Sequence, residues 1–68
     1  MIVVVNSETL EVDEQTTVAA LLQSLGFPDR GIAVAIDRAV LPRSGWATKL
    51  SALATPVQLE VVTAVQGG

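Results

Sequence analysis

The sequence predicts an α+β fold in which a mixed sheet of about five strands packs against one main helix. Strand-like and helical segments follow one another in the order β-β-α-β-β-(short helix)-β. The first and last strand segments, Met1–Val5 and Val57–Val65, both carry contiguous apolar residues, which is typical of strands in the middle of a sheet. We therefore expect these two strands to be parallel neighbours at its centre.

The first part of the chain predicts a β-hairpin and then the main helix. Met1–Val5 is apolar, Asn6-Ser7 is a turn pair, and Thr9–Val12 alternates between polar and apolar residues. Thr17 is a suitable N-cap for a helix over Thr17–Leu25, and Gly26 can adopt the left-handed backbone that ends a helix. The apolar residues of this helix form one stripe at helical spacing: Val18, Leu21, Leu22 and Leu25.

The second part predicts three strands and a short helical stretch. Ile32–Ile36 and Ala39–Leu41 read as strands joined by a tight turn at Asp37-Arg38, and Ser44–Leu53 has the character of one or two helical turns. Val57–Val65 is the last strand. The side chains expected to point inward are Ile32, Val34, Ile36, Trp46, Leu50, Leu53, Leu59 and Val61. This order of elements is that of a ubiquitin-like (β-grasp) domain.

Composition limits the chemistry that the side chains can perform. The chain has 68 residues, one small domain, of which half are hydrophobic, and it contains neither Cys nor His. Zero Cys excludes disulfides and thiolate sites, and zero His removes the commonest metal ligand and the usual general base. We therefore expect no metal site and no catalytic residue, so that the protein is not an enzyme.

Charge and hydropathy give expectations about partners and compartment. The net charge is −3, which disfavours nucleic acid because such binding depends on basic side chains. No apolar run is long enough to span a bilayer, and no signal peptide precedes the domain, so we expect a cytoplasmic protein without membrane contact. Beyond Lys49 the only charged side chain is Glu60, which leaves the last third with a nearly uncharged surface suited to a protein partner.

The sequence ends with Ala64-Val65-Gln66-Gly67-Gly68, in which an apolar strand leads into two glycines. Glycine lacks a Cβ and permits close approach in a narrow channel, and a fully extended stretch from Ala64 to Gly68 spans about 17 Å. We expect residues 65–68 to form a flexible tail that can reach a recessed site. With no side-chain thiol in the chain, the terminal carboxylate is the group that we expect to do chemistry.

Four stretches together resemble a known family, the ThiS sulfur carriers of thiamine (thiazole) biosynthesis. These stretches are Val5-Asn6, Thr17-Val18 with Leu21-Leu22, Leu41-Pro42-Arg43 followed by Trp46, and Val62–Gly68. The sequence departs from the family pattern at three loop positions: Ser7, where glycine is usual; Gly45, where an acidic residue is common; and Ala54-Thr55-Pro56, which replaces an acidic turn.

The resemblance implies a function carried by the terminus. An adenylating, E1-like partner enzyme would use ATP to activate Gly68, a sulfur donor would convert it to a thiocarboxylate, and thiazole synthase would receive the sulfur. The chain itself would bind no cofactor, and when free it would be a monomer. The tail residues Gly67, Gln66 and Val65 would thread into the partner enzyme.

Four further residues are candidates for a partner interface: Val62, Ala64, Trp46 and Arg43. If Leu59 and Val61 point inward, Val62 lies on the outer face of the sheet, next to the tail. Trp46 also has the features of a packing residue whose indole N–H needs a partner, and Arg43 those of a cation that braces a turn.

Three other functions remain open at the level of sequence. The chain could be the small subunit of molybdopterin synthase, which uses the same terminus. It could be a ubiquitin-like modifier, conjugated to lysines through Gly68. A plain interaction domain with an incidental tail would belong to a third class, and blocking its terminus would then change nothing.

Overall fold

The computed structural model describes residues 1–63, which form five strands, one α-helix and two short 3-10 turns. The strands are β1 (Ile2–Val5), β2 (Glu8–Glu11), β3 (Ile32–Ile36), β4 (Ala39–Leu41) and β5 (Val57–Thr63). The helix α1 is Val18–Ser24, and the 3-10 turns are Arg43–Gly45 and Leu50–Ala52. The predicted order of elements is therefore confirmed.

The five strands form one mixed sheet in the order β2-β1-β5-β3-β4. Strands β1 and β5 are parallel and lie at the centre, with a register that runs from Val3 opposite Val57 to Val5 opposite Leu59. The other three pairings are antiparallel. This β-grasp arrangement is the one expected from the apolar runs of the first and last strands.

Both hairpins close through two-residue turns whose central residues have positive φ. Asn6 and Ser7 have φ values of 50° and 69°, and Asp37 and Arg38 have 51° and 68°. This backbone is that of the type I′ turn, whose twist matches the twist of the two strands that it joins. Asn and Asp tolerate the left-handed region, whereas Ser7 and Arg38 occupy it at a steric cost.

Helix α1 is short, and its ends are held by specific hydrogen bonds. At its start the Thr17 hydroxyl accepts a hydrogen bond from the Ala20 amide at 3.1 Å, as expected for an N-cap. At its end Gly26 has φ of 86°, and the Phe27 amide donates to the Leu22 carbonyl at 3.0 Å. These features form a Schellman motif, which ends the helix at the position predicted from Gly26.

The stretch predicted as one or two helical turns over Ser44–Leu53 contains two separate 3-10 turns, which are joined by a turn, a bend and the bridge residue Lys49. The reason is a competing set of hydrogen bonds. The carbonyls of Trp46 and Thr48 accept from the Ala19 and Val18 amides of α1, at 2.9 and 3.1 Å. These are amides that a helix leaves without an internal partner, so the connection docks on the helix start instead of forming a helix of its own.

The core lies between α1 and the sheet and is entirely apolar among the described residues. The buried side chains are Val3, Val5, Val18, Leu21, Leu22, Val34, Trp46, Leu50, Val57, Leu59 and Val61. The expected inward positions are confirmed, with Ile32, Ile36 and Leu53 only partly buried at the margin.

The side of the sheet away from α1 is uncovered by any described residue, and we call it the outer face. From the strand register and the alternation of burial, it comprises Ile2, Val4, Thr9, Glu11, Ala33, Ala35, Val40, Gln58, Glu60 and Val62.

Candidate functional site

The candidate site begins where the central strand β5 ends. Strand β5 runs to Thr63, and the segment from Ala64 to Gly68 that would carry the chemistry follows directly. The predicted site residues Gly68, Gly67, Gln66, Val65 and Ala64 lie outside the described residues, as does the end of the predicted last strand. Their roles therefore stay predictions, while Val62, Arg43 and Trp46 have defined surroundings.

The last residues of β5 are fixed to the first hairpin by the side chain of Asn6. The Val61 amide donates to Asn6 Oδ1 at 2.8 Å, and Asn6 Nδ2 donates to the Val61 carbonyl at 3.2 Å. The Asn6 amide also donates to the Leu59 carbonyl at 3.0 Å. The side-chain amide thus continues the β1–β5 ladder after β1 has ended, two residues before the end of β5.

Sequence reasoning treated Asn6 only as a turn residue and missed this contact. The turn signal is local, since Asn tolerates a positive φ, whereas the contact with Val61 joins residues 55 positions apart. A parallel pairing of the first and last strands, together with an Asn directly after the first, is the signal that points to it.

The outer face carries three large exposed apolar side chains, of which Val62 lies near the end of β5, whereas Ile2 lies at the opposite end of the sheet. Val62 is 62% exposed, Val40 is 71% exposed and Ile2 is 57% exposed. The position predicted for Val62, outward next to the tail, is confirmed. Exposed aliphatic side chains grouped on one sheet face are a common feature of protein–protein contact surfaces.

Two depressions flank the residues Gln58 and Glu60 on this face. The larger one, of about 520 Å³, lies on the β1 side and is lined in addition by Val4, Asn6, Ser7, Leu59, Val61 and Val62. The smaller one, of about 260 Å³, lies on the β3 side and is lined in addition by Ala35, Asp37 and Arg38. The larger depression occurs where β1 ends while β5 continues, and the smaller lies where β3 presents only the methyl group of Ala35.

Arg43 and Trp46 form a pair of their own in the connection after β4. The Trp46 side chain is only 8% exposed, and its Nε1 donates to the Leu41 carbonyl at 3.4 Å. The Arg43 guanidinium carbon lies 4.9 Å from the centroid of the Trp46 ring, a cation–π arrangement. The indole N–H therefore has the partner that the sequence required, and the exposed member of this pair is Arg43. Neither residue lines the depressions beside Val62.

Within residues 1–63 the side chains form no candidate metal centre. No group of three or more His, Cys, Asp or Glu residues is arranged to hold a metal ion there. Over the same range no buried side-chain nitrogen or oxygen lacks a hydrogen-bond partner. Helix α1, with seven residues, and the 3-10 turns are all too short to cross a membrane.

In a comparison with protein-family models, residues 2–68 match the model described as the ThiS family. The matched region includes every described strand and continues through the terminal Gly-Gly. No curated protein matches the chain.

Proposed function

Because the chain belongs to the ThiS family, whose members are sulfur carriers and not enzymes, we propose that it carries sulfur on Gly68 for the thiazole ring of thiamine. The observation that carries the proposal is that the family match extends through the final Gly67-Gly68.

The proposed chemistry has two steps on the Gly68 carboxyl group. A carboxylate is anionic at neutral pH and is a poor electrophile until it has a good leaving group. In the first step a carboxylate oxygen attacks the α-phosphorus of ATP in the adenylating enzyme, and pyrophosphate leaves. In the second step a hydrosulfide-level sulfur attacks the acyl carbon and AMP leaves, so that the terminus becomes a thiocarboxylate.

The carrier contributes reach and a docking surface to these steps, and the partner enzymes contribute the catalysis. Gly67, Gln66 and Val65 enter the channel of the adenylating enzyme. Val62 and Ala64 make the apolar contact next to that channel. Arg43, held over the ring of Trp46, offers the partner a cation in a fixed place.

The remaining assignments concern partners and compartment. The adenylating enzyme consumes ATP, and the carrier itself binds no cofactor. Thiazole synthase receives the sulfur from the thiocarboxylate. The free carrier is a monomer, and it works in the cytoplasm, where ATP and these enzymes are available.

Intact-mass spectrometry tests the sulfur-carrier function directly. The carrier is incubated with ATP, the adenylating enzyme of the same organism and sulfide as the sulfur donor. We expect a mass gain equal to the difference between one sulfur and one oxygen atom. A variant that lacks Gly68, and one with a residue added after it, should fold and show no gain. An unchanged wild-type mass, with a known carrier converted in parallel by its own enzyme, would reject the function.

Affinity capture distinguishes the thiamine role from its alternatives. Tagged at its N-terminus, the carrier should retain thiazole synthase from an extract of its own organism. Retention of the large subunit of molybdopterin synthase instead would assign it to that pathway. Isopeptide-linked adducts on lysines of other proteins would indicate a protein modifier.

A further inference from the structure

Glu60 occupies an unusual place on the outer face. It lies on the central strand β5 and is exposed, and it is the only charged side chain between Leu50 and Thr63. Its neighbours in register are Ala35 on β3 and then Val40 on β4, and Val62 follows on its own strand. Its surroundings are mixed: Ala35 and Val62 are apolar, Gln58 is polar, and Asp37 and Arg38 line the same smaller depression.

The Glu60 carboxylate is free of intramolecular partners in the part of the chain that is described. None of the side-chain hydrogen bonds there involves it. It stands with Gln58 on a ridge between the two depressions, of about 520 and 260 Å³. A protein that covers this face would remove water from the ridge.

Removing water from an unpaired carboxylate is costly, whereas a cation placed opposite it offsets that cost. Charge placement of this kind discriminates between partners, because a neutral or acidic surface at the same place is penalised. The net charge of −3 adds a general attraction for a basic partner surface.

The position of Glu60 in the chain indicates which partner would cover it. Glu60 precedes Gly68 by eight residues. Even a fully extended segment of that length spans only about 27 Å, so an enzyme that holds Gly68 in its active site lies within that distance of Glu60. Val62, an exposed apolar residue that follows Glu60 on β5, extends the outer face toward the end of that strand.

We propose that Glu60 selects the adenylating enzyme by charge: a Lys or Arg of that enzyme pairs with the Glu60 carboxylate while the enzyme surface around it covers the two adjacent depressions. This inference rests on the proposed function, and it adds the chemistry of the partner surface. Glu60 is a specificity residue and takes no part in the chemistry at the terminus.

The experiment measures ATP–pyrophosphate exchange that depends on the carrier, catalysed by the adenylating enzyme of the same organism. This readout needs no sulfur donor. Glu60→Gln and Glu60→Lys are compared with Glu11→Gln and Glu11→Lys. Glu11 is a matched control because it is exposed on the same face, on edge strand β2, and because its substitution changes the net charge equally.

We expect Glu60→Lys to raise the KM for the carrier about tenfold or more with little change in kcat, since like charges then face each other. Glu11→Lys should change KM by about twofold at most. Added salt should raise the KM of the wild type, and Glu60→Gln should flatten that dependence. Melting curves will show whether each variant is folded, which we expect because Glu60 is exposed.

The two possible failures have different signatures. Equal KM values for Glu60→Lys and Glu11→Lys, with the wild type active in exchange, would overturn the role of Glu60 alone. An unaltered salt dependence in Glu60→Gln would overturn it as well. No exchange with the wild type, from an enzyme active on another carrier, would reject the proposed function and the Glu60 inference with it.

Discussion

The side-chain amide of Asn6 exchanges two hydrogen bonds with the backbone of Val61, at 2.8 and 3.2 Å. This contact joins the first hairpin to the last residues of strand β5. Asn6→Gly keeps a residue that tolerates the φ of 50° and removes only the side chain. We expect it to lower the free energy of unfolding by about 1–3 kcal/mol, because the Val61 amide and carbonyl lose their partners.

Urea unfolding followed by circular dichroism measures this loss. Asn6→Asp is a useful companion variant, since it keeps the acceptor for the Val61 amide but replaces the donor with an oxygen that repels the Val61 carbonyl. It should therefore also be less stable than the wild type. If Asn6→Gly unfolds at the same urea concentration as the wild type, the contact contributes nothing to the link between the strands.

Ser7 carries a positive φ of 69° at the second position of its turn. Glycine adopts this backbone without steric cost, whereas other L-residues pay for it. Ser7→Gly should therefore raise the free energy of unfolding by about 0.5–1 kcal/mol, even after the greater freedom of glycine in the unfolded chain is counted. Ser51→Gly, in the 3-10 turn Leu50–Ala52, provides the control, where no gain is expected. A Ser7→Gly protein that melts below the wild type would contradict the strain argument.

Arg43 and Trp46 form the cation–π pair of the connection after β4, with 4.9 Å between guanidinium carbon and ring centroid. Arg43→Met retains an apolar stem but removes the charge. It should lower stability by about 0.5–1 kcal/mol, the range for an exposed pair of this type. Arg30→Met changes the net charge equally at an exposed loop position and should be neutral. If Arg43→Met and Arg30→Met have the same melting temperature, the cation–π pair contributes nothing to stability.

Leu50 is fully buried beneath the connection that docks on α1, and its amide donates to the Thr16 carbonyl at 2.8 Å. Leu50→Ala leaves a cavity in the core, which costs about 2–5 kcal/mol. A domain of this size has a small free energy of unfolding, so we expect much of the Leu50→Ala protein to be unfolded at 37 °C. Leu25→Ala, at a residue that is 39% exposed, should be far milder. Similar amide hydrogen-exchange protection in both variants would argue against Leu50 as a central core residue.

Local patterns in the sequence were sufficient to predict the elements and the faces of the fold. Thr17 and Gly26 bracket the helix, alternation separates Leu59 and Val61 from Val62, and turn residues mark both hairpins. Each of these signals lies within a few residues of the feature that it predicts. The central parallel pair was predicted from the contiguous apolar residues of the first and last strands, although the structure buries only one face of each.

Features that depend on distant contacts were not predictable in this way. The Asn6–Val61 contact and the docking of the Trp46 and Thr48 carbonyls on α1 both join segments far apart in the sequence. This docking is the reason that Ser44–Leu53 does not form a continuous helix. The depressions beside Glu60 depend likewise on where β1 ends relative to β5, which only the assembled sheet defines.

The central claim is that the sulfur is held by the main-chain carboxyl of Gly68, and fragmentation mass spectrometry of the converted carrier tests it most directly. The account predicts that the whole mass gain is found in fragments that contain Gly68 and in none that end before it. Conversion that leaves those terminal fragments unchanged, with the added mass on any other residue, would contradict it.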